Sequence, residues 1–355
     1  MHRHIISLLF SLLAISSLHA GEPMVRFLLE GKVVEGSQLY WEGNYGAVLA
    51  RDGRWFSLDP KQAEGFRQVS GSFRPYSSSD LRGLLQQEFG SGFDVTGDGH
   101  YLVVYPKGQG ARWAPRFEQL YRSFIQYFTA RGWRPIEPKF PLIAVVFPSE
   151  KQFQQYALRE GSKLGPGTLG YYSPVSNRIL LYDVTKSTGL DWSVNAETII
   201  HEAAHQTAFN TGVHNRFAQP SRWIAEGLGT MFEARGVWNS SQYRAQGDRI
   251  NRYRFEAFKV YAKTRRKTGA LAEIVSSDRA FNSDAEGAYA EAWALTFFLS
   301  ETDPRRYVEY LRKTAAQPNF TQPRSPERLA AFTTVFGTNL KLLEAKMLRF
   351  IGDLK

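Results

Sequence analysis

Three features of the sequence predict an α+β fold. Up to about residue 70, short apolar runs alternate with Glu-Gly pairs and Asp52-Gly53, the pattern of a small antiparallel module. Between residues 101 and 182, β-rich runs alternate with helical periodicity. Beyond about residue 195 the chain reads as mostly helical, with Ser325-Pro326 and Gly337-Thr338 as helix punctuation.

Residues 1–20 open with His2-Arg3-His4, continue through an apolar stretch from Ile5 to Ile15, and close on Ala20. A basic start, apolar middle and small final residue make a signal peptide cleaved near Ala20, so export to a bacterial periplasm or exterior is expected. The apolar stretch is short for a membrane span, and no later one reaches the roughly 18 residues a span needs. An integral membrane protein is therefore not expected. The chain has no cysteine, which excludes disulfides, thiol catalysis, thiolate metal sites and a lipid-modified cysteine. A hydrophobic content of 43% over 355 residues excludes disorder and suits one large or two modest domains.

Residues 21–70 are expected to form a small β-barrel or SH3-like module, its clearest hairpin lying between Val48 and Leu58. Residues 71–110 read as a connector with a helix from Asp80 to Phe89 and a strand from Tyr101 to Tyr105. Residues 111–355 form the main domain. Trp113, Phe117, Leu120, Tyr121, Phe124, Ile125 and Phe128 mark an amphipathic helix that stops at Gly132 and covers a sheet. Phe140 to Phe147 is β-rich, and Gly167 to Asp183 reads as two short strands about a Ser-Pro-Val-Ser-Asn turn. The last helix runs from Asn339 to Leu354.

Chemistry concentrates in His201-Glu202-Ala203-Ala204-His205, inside a proline-free run from Ala196 to Phe209. Residues four apart share a helix face, so both imidazoles can converge on one ion. A catalytic zinc takes three protein ligands and leaves its fourth position open, and two histidines with one glutamate is a recurring set. Glu226, in Trp223-Ile-Ala-Glu226-Gly227, is the expected third ligand. It lies far enough along for one helix to end and a second to return a carboxylate. Glu233 is its competitor, two turns further on the same face, and otherwise a partner for a ligand imidazole N–H. Glu202 is left as general base, able to take a proton from water and pass it to a leaving amine. One zinc per chain and a peptide or protein substrate are expected.

The stretch from about 195 to 233 resembles the gluzincin metallopeptidases, in which HExxH is followed by a helix carrying a ligand glutamate. Trp223-Ile-Ala-Glu226-Gly227-Leu-Gly is similar to a step in aminopeptidase N-like enzymes. Tyr289-Ala-Glu-Ala-Trp293 through Leu299 is similar to the helix whose tyrosine donates to their transition state. Across about residues 140 to 350 the chain resembles a bacterial family of secreted, peptidase-like proteins of unassigned function, on wording such as His205-Gln-x-Ala-Phe-Asn-Thr-Gly. The resemblance implies a zincin-like unit with a small mixed sheet, a zinc helix and a helical C-terminal part, and it implies a catalytic role for Tyr289.

The Gly-x-Met-Glu-Asn stretch that captures a free amino terminus in the aminopeptidases is missing. Gly170, Tyr171 and Tyr172 stand in the equivalent place, where an edge strand can bind an extended peptide through its main chain. An endopeptidase is therefore expected over an aminopeptidase. His214, between the ligand helices, is a further substrate-contact candidate. Two other classes fit the residues: a catalytically weak zinc-fold adaptor of the cell envelope, and a zinc hydrolase of non-peptide amides or esters. Retention of Glu202 argues against the adaptor. Much of the +10 net charge gathers between Asp248 and Lys267, among aromatics at helical spacing. A solvated helix face explains that pattern, so no nucleic-acid partner is expected.

Overall fold

A computed structural model describes residues 22–109, 113–187 and 192–355, with the side chains of 70, 186, 187 and 192–195 excepted. The signal peptide expected over residues 1–20 lies outside the described residues. The chain divides into two compact units, residues 1–75 and 76–355.

The first unit is one antiparallel sheet of β1 (Pro23–Leu29), β2 (Lys32–Glu42), β3 (Tyr45–Ala50), β4 (Trp55–Leu58) and β5 (Glu64–Ser72). Its order is β4-β3-β2-β1-β5. Leu29 faces Lys32 across a two-residue turn in which Glu30 and Gly31 both take positive φ, 50° and 75°. That pair of angles is what a twisted hairpin requires of its turn. Val25, Phe27, Val34, Val48 and Leu58 are buried on one side. The expected small barrel is corrected to an open sheet, because the described strands pair β4 only with β3 and β5 only with β1. β4, four residues long, offers a short ladder for closure.

The second unit is built on β6 (Phe93–Asp98), β7 (Tyr101–Pro106), β8 (Leu142–Phe147), β9 (Gly170–Ser173) and β10 (Arg178–Tyr182), ordered β6-β7-β8-β10-β9. β7, β8 and β10 run parallel, with antiparallel β6 and β9 at the edges. Residues 71–110, read from the sequence as a connector, supply two of these strands and the helix α1 (Ser78–Phe89). Side chains alternate with period two. Leu102, Val104, Ile143, Val145, Leu180 and Tyr182 face a core shared with α1 and α3 (Glu150–Arg159). Val103, Ala144, Val146, Ile179 and Leu181 face the larger core under α2 (Ala114–Thr129) and the remaining helices.

After α4 (Val184–Ser187), α5 (Trp192–Asn210) crosses the sheet and α6 (Arg222–Phe232) packs against it. There follow α7 (Arg235–Trp238), α8 (Arg252–Thr264), α9 (Ala270–Ser276), α10 (Ala280–Ser283) and α11 (Ala285–Thr302). The chain ends with α12 (Pro304–Ala315), α13 (Ser325–Phe336) and α14 (Leu340–Asp353). α11 is buried almost all round, as expected of a helix without a polar face. Its approach to α6 depends on Gly227, where a Cβ would stand 2.7 Å from the Ala292 carbonyl oxygen. Arg266 donates to Glu291 and Glu344 at 2.6–2.8 Å, joining α14 to α11 through a buried network.

Candidate metal centre

α5 is held to the sheet by buried Gln206, whose Nε2 donates to the carbonyls of Ile143 (2.9 Å) and Asn177 (2.8 Å). Asn177 takes φ 59° in the turn between β9 and β10. Its side chain exchanges hydrogen bonds with Asn210 and accepts one from the Tyr172 hydroxyl. These contacts set the edge strand β9 beside α5.

The i, i+4 spacing brings His201 Nε2 and His205 Nε2 to 3.0 Å of each other. α6 places Glu226 Oε2 3.4 Å from the first nitrogen and 3.6 Å from the second. A tetrahedron with zinc bonds of roughly 2.0–2.1 Å has edges of about 3.3–3.4 Å, so the three atoms stand at ligand spacing. The side chains are 15%, 11% and 17% exposed, which shields the group yet leaves it reachable. Burial opposes charging His201, but the Glu226 and Glu233 carboxylates outweigh it and raise that imidazole well above its usual range. Burial likewise opposes ionising Glu226, and His201 and His205 outweigh it and hold the carboxyl well below its usual range. The arrangement favours a positive charge at its centre, and its N, N, O donor set fits zinc.

Glu233, at the end of α6, accepts from His201 Nδ1 at 2.7 Å. This leaves His201 Nε2 free to act as a donor atom. Glu233 itself accepts from Asn251 Nδ2 at 2.6 Å, and Asn251 also donates to the Thr230 carbonyl. Glu226 and Glu233, the two candidates for third ligand, thus take different places, the first in the donor group and the second behind it.

Residues 195–321, from α5 to the loop before α13, match a family described as "Protein of unknown function (DUF1570)". No curated protein matches the chain. The M1 zinc metallopeptidase from Deinococcus radiodurans is similar in structure at 14% identity and TM-score 0.39, over 71% of this chain and 47% of that one. A single-substitution variant of that enzyme gives 12% and 0.40 over 72% and 49%. The variant bound to a Tyr-Ser-Ala substrate gives 13% and 0.38 over 74% and 51%. The chain spans about half the length of the solved structures it matches.

A cavity of about 990 Å³ opens beside the donor group, lined in part by Gly170, His201, Glu202, Glu233 and Tyr289. Glu202 accepts the Tyr172 backbone N–H at 2.7 Å. Tyr172 N–H therefore turns away from β10, and by the two-residue period the Gly170 backbone faces the same open side. Tyr289 packs edge-on against Phe281 at 5.4 Å. Burial, then the Glu226 carboxylate, push its phenol up to about 12, so it remains protonated and able to donate.

The side chains of Tyr171, Tyr172 and His214 turn away from the cavity, while the main-chain contact expected of Gly170 to Tyr172 is a property of the strand. Tyr171 packs near Phe153 in the core shared with α1 and α3, on the sheet face away from α5. The Tyr172 ring stacks on Phe209 at 5.6 Å, leaving only its main chain toward the cavity. His214 is 2% exposed, lies against Phe209 and is absent from the cavity wall. Burial, then His205, lower its pKa to about 3, keeping it neutral. In each case strand parity or close packing decided the direction of the side chain.

Two positions were missed in the sequence. Asn251 belongs to the basic aromatic stretch, where nothing marks it beyond helix N-cap chemistry. Gly229 lies under His201, and a Cβ there would stand 2.8 Å from the ring's Cε1. Its i+3 spacing from Glu226 was the available signal.

Proposed function

We propose that this chain is an exported, zinc-dependent peptidase of gluzincin type that cuts internal peptide bonds. The observation that carries this reading is the convergence of His201 Nε2, His205 Nε2 and Glu226 Oε2 at ligand spacing beside the cavity that Glu202 lines. A purely structural zinc would be closed by a fourth protein ligand, and among the described residues the group has three members. When bound, zinc supplies Lewis acidity toward a water nucleophile and a scissile carbonyl.

The chain's own residues do the rest. Glu202 takes the proton of the attacking water and returns it to the leaving amine. Its carboxylate is aimed by the Tyr172 N–H. The Tyr289 phenol donates to charge that develops on the carbonyl oxygen. The outward Gly170 backbone pairs with an extended substrate, a mode that requires no free terminus. Glu233 and Asn251 hold the His201 ring. Export rests on the first 20 residues of the sequence, and among the described residues no helix is long and apolar enough to cross a membrane.

Zinc content and hydrolysis of casein and terminally blocked peptides, wild type against Glu202→Gln, test the reading. Glu202→Gln should retain zinc and lose roughly 10² to 10⁴ in turnover. Near-normal turnover by the variant, or release of amino-terminal residues only, would overturn it.

A further inference from the structure

The first turn of α8 supplies a second set of side chains to the cavity, including Asn251, Arg252 and Arg254. Asn251 is committed to Glu233 and the Thr230 carbonyl. Arg252 Nη1 donates to the Lys355 main-chain oxygen at 2.7 Å. Arg254 differs from both. Its guanidinium lies 4.9 Å from the Tyr289 ring centroid and 5.1 Å from that of Tyr253. Its Nε is buried without a hydrogen-bond partner, and among the described residues no carboxylate stands within ion-pair distance of it.

Of the carboxylates lining the cavity, three are already engaged, and the fourth, Glu197, forms no ion pair with Arg254. Glu233 serves His201 and Asn251, Glu202 takes the Tyr172 N–H, and Asp248 takes the Ala245 N–H. Aromatic faces satisfy part of a guanidinium's charge but none of its N–H groups, and a buried unpaired donor is costly. The buried Nε is closed to solvent, so a ligand in the cavity would meet the terminal nitrogens, which carry no ion pair among the described residues. The ligand that fits them is anionic and planar, which describes a carboxylate. Tyr289 joins this position to the donor group, since its ring carries Arg254 and, after burial, the Glu226 charge raises its phenol pKa. With strand residues spaced roughly 3.3–3.4 Å apart, one ring's width places the carboxylate within about two residues of the reacting bond.

We propose that Arg254 is a carboxylate-binding subsite of the peptide cleft, selecting either an acidic side chain near the scissile bond or the substrate's C-terminal carboxylate. The identity of the ligand as a peptide rests on the peptidase reading; the anion preference does not.

Two pairs of acetylated alanine-based tetrapeptides test it by calorimetry. One pair differs only in a free or amidated C-terminus, the other, amidated, only in an internal Glu or Gln. Binding is measured to zinc-loaded and metal-stripped protein, because a carboxylate can also bind the metal. In the metal-stripped protein, one carboxylate member should bind at least about tenfold tighter than its neutral partner, the range of a charge-assisted hydrogen bond. The pair that shows the gap identifies the source. Arg254→Gln should abolish the gap, and Arg254→Lys should keep part of it while preserving the charge. Equal binding within both pairs, or a gap that survives Arg254→Gln, overturns the proposal. Absence of hydrolysis with the gap intact would remove the peptidase reading and leave the anion site standing.

Discussion

The two sides of the cavity are finished to different degrees. On the donor side His201 Nδ1 is held by Glu233, and Glu233 by Asn251. Gly227 and Gly229 let α11 and the imidazole come close to α6. On the peptide side, the Gly170 main chain faces the open edge of β9 and Arg254 Nε has no partner. On the proposed function, preorganised donors would fix the ion and unsatisfied walls would receive the peptide. Under that proposal, the difference separates residues expected to set metal affinity from those expected to set substrate use.

Removing a donor should break the comparison most severely. His205→Ala or Glu226→Ala should lower zinc occupancy sharply by elemental analysis, and turnover with it, while circular dichroism stays native. Full zinc retention by Glu226→Ala would take that residue out of the ligand set. Next in size is Tyr289→Phe, which keeps the ring under Arg254 and removes only the hydroxyl. A donor to transition-state charge typically contributes about 10² to 10³ in rate, so kcat should fall with little change in KM and full zinc content. Normal turnover would leave Tyr289 as a packing residue.

Asn251→Ala probes the hydrogen bond behind the donors. Loss of such outer partners costs about 10- to 100-fold in metal affinity or activity, and competition with a chelator would measure it. Unchanged zinc affinity would show that Glu233 needs no support. The smallest effect is expected from Tyr171→Phe, whose hydroxyl lies on the far face of the sheet. Turnover within about twofold of wild type is the outcome, and a loss near that of Tyr289→Phe would reverse the strand assignment.

Local periodicity carried much of this molecule in legible form. The four-residue spacing of His201 and His205, the β-rich runs that became β7, β8 and β10, and the helices α2 and α14 all follow from neighbours along the chain. The mixed α+β class could be read from those elements alone. Sheet closure could not, since it depends on the pairing of strands remote in sequence, and the expected barrel is an open sheet.

The His-x-x-x-His helix was determined by the sequence, because it depends on helical geometry within five residues, and the proposal of Glu202 as base rests on the side-chain chemistry of the same five. Tertiary structure decided which glutamate joins the donors, since Glu226 and Glu233 share a helix face and only the packing of α5 on α6 tells them apart. It also decided that the Tyr172 N–H meets Glu202 while its ring stacks on Phe209, and that Arg254, one of eight basic residues in its stretch, lines the cavity with its Nε unpaired. Such outcomes depend on contacts between residues tens of positions apart, which local propensity does not encode.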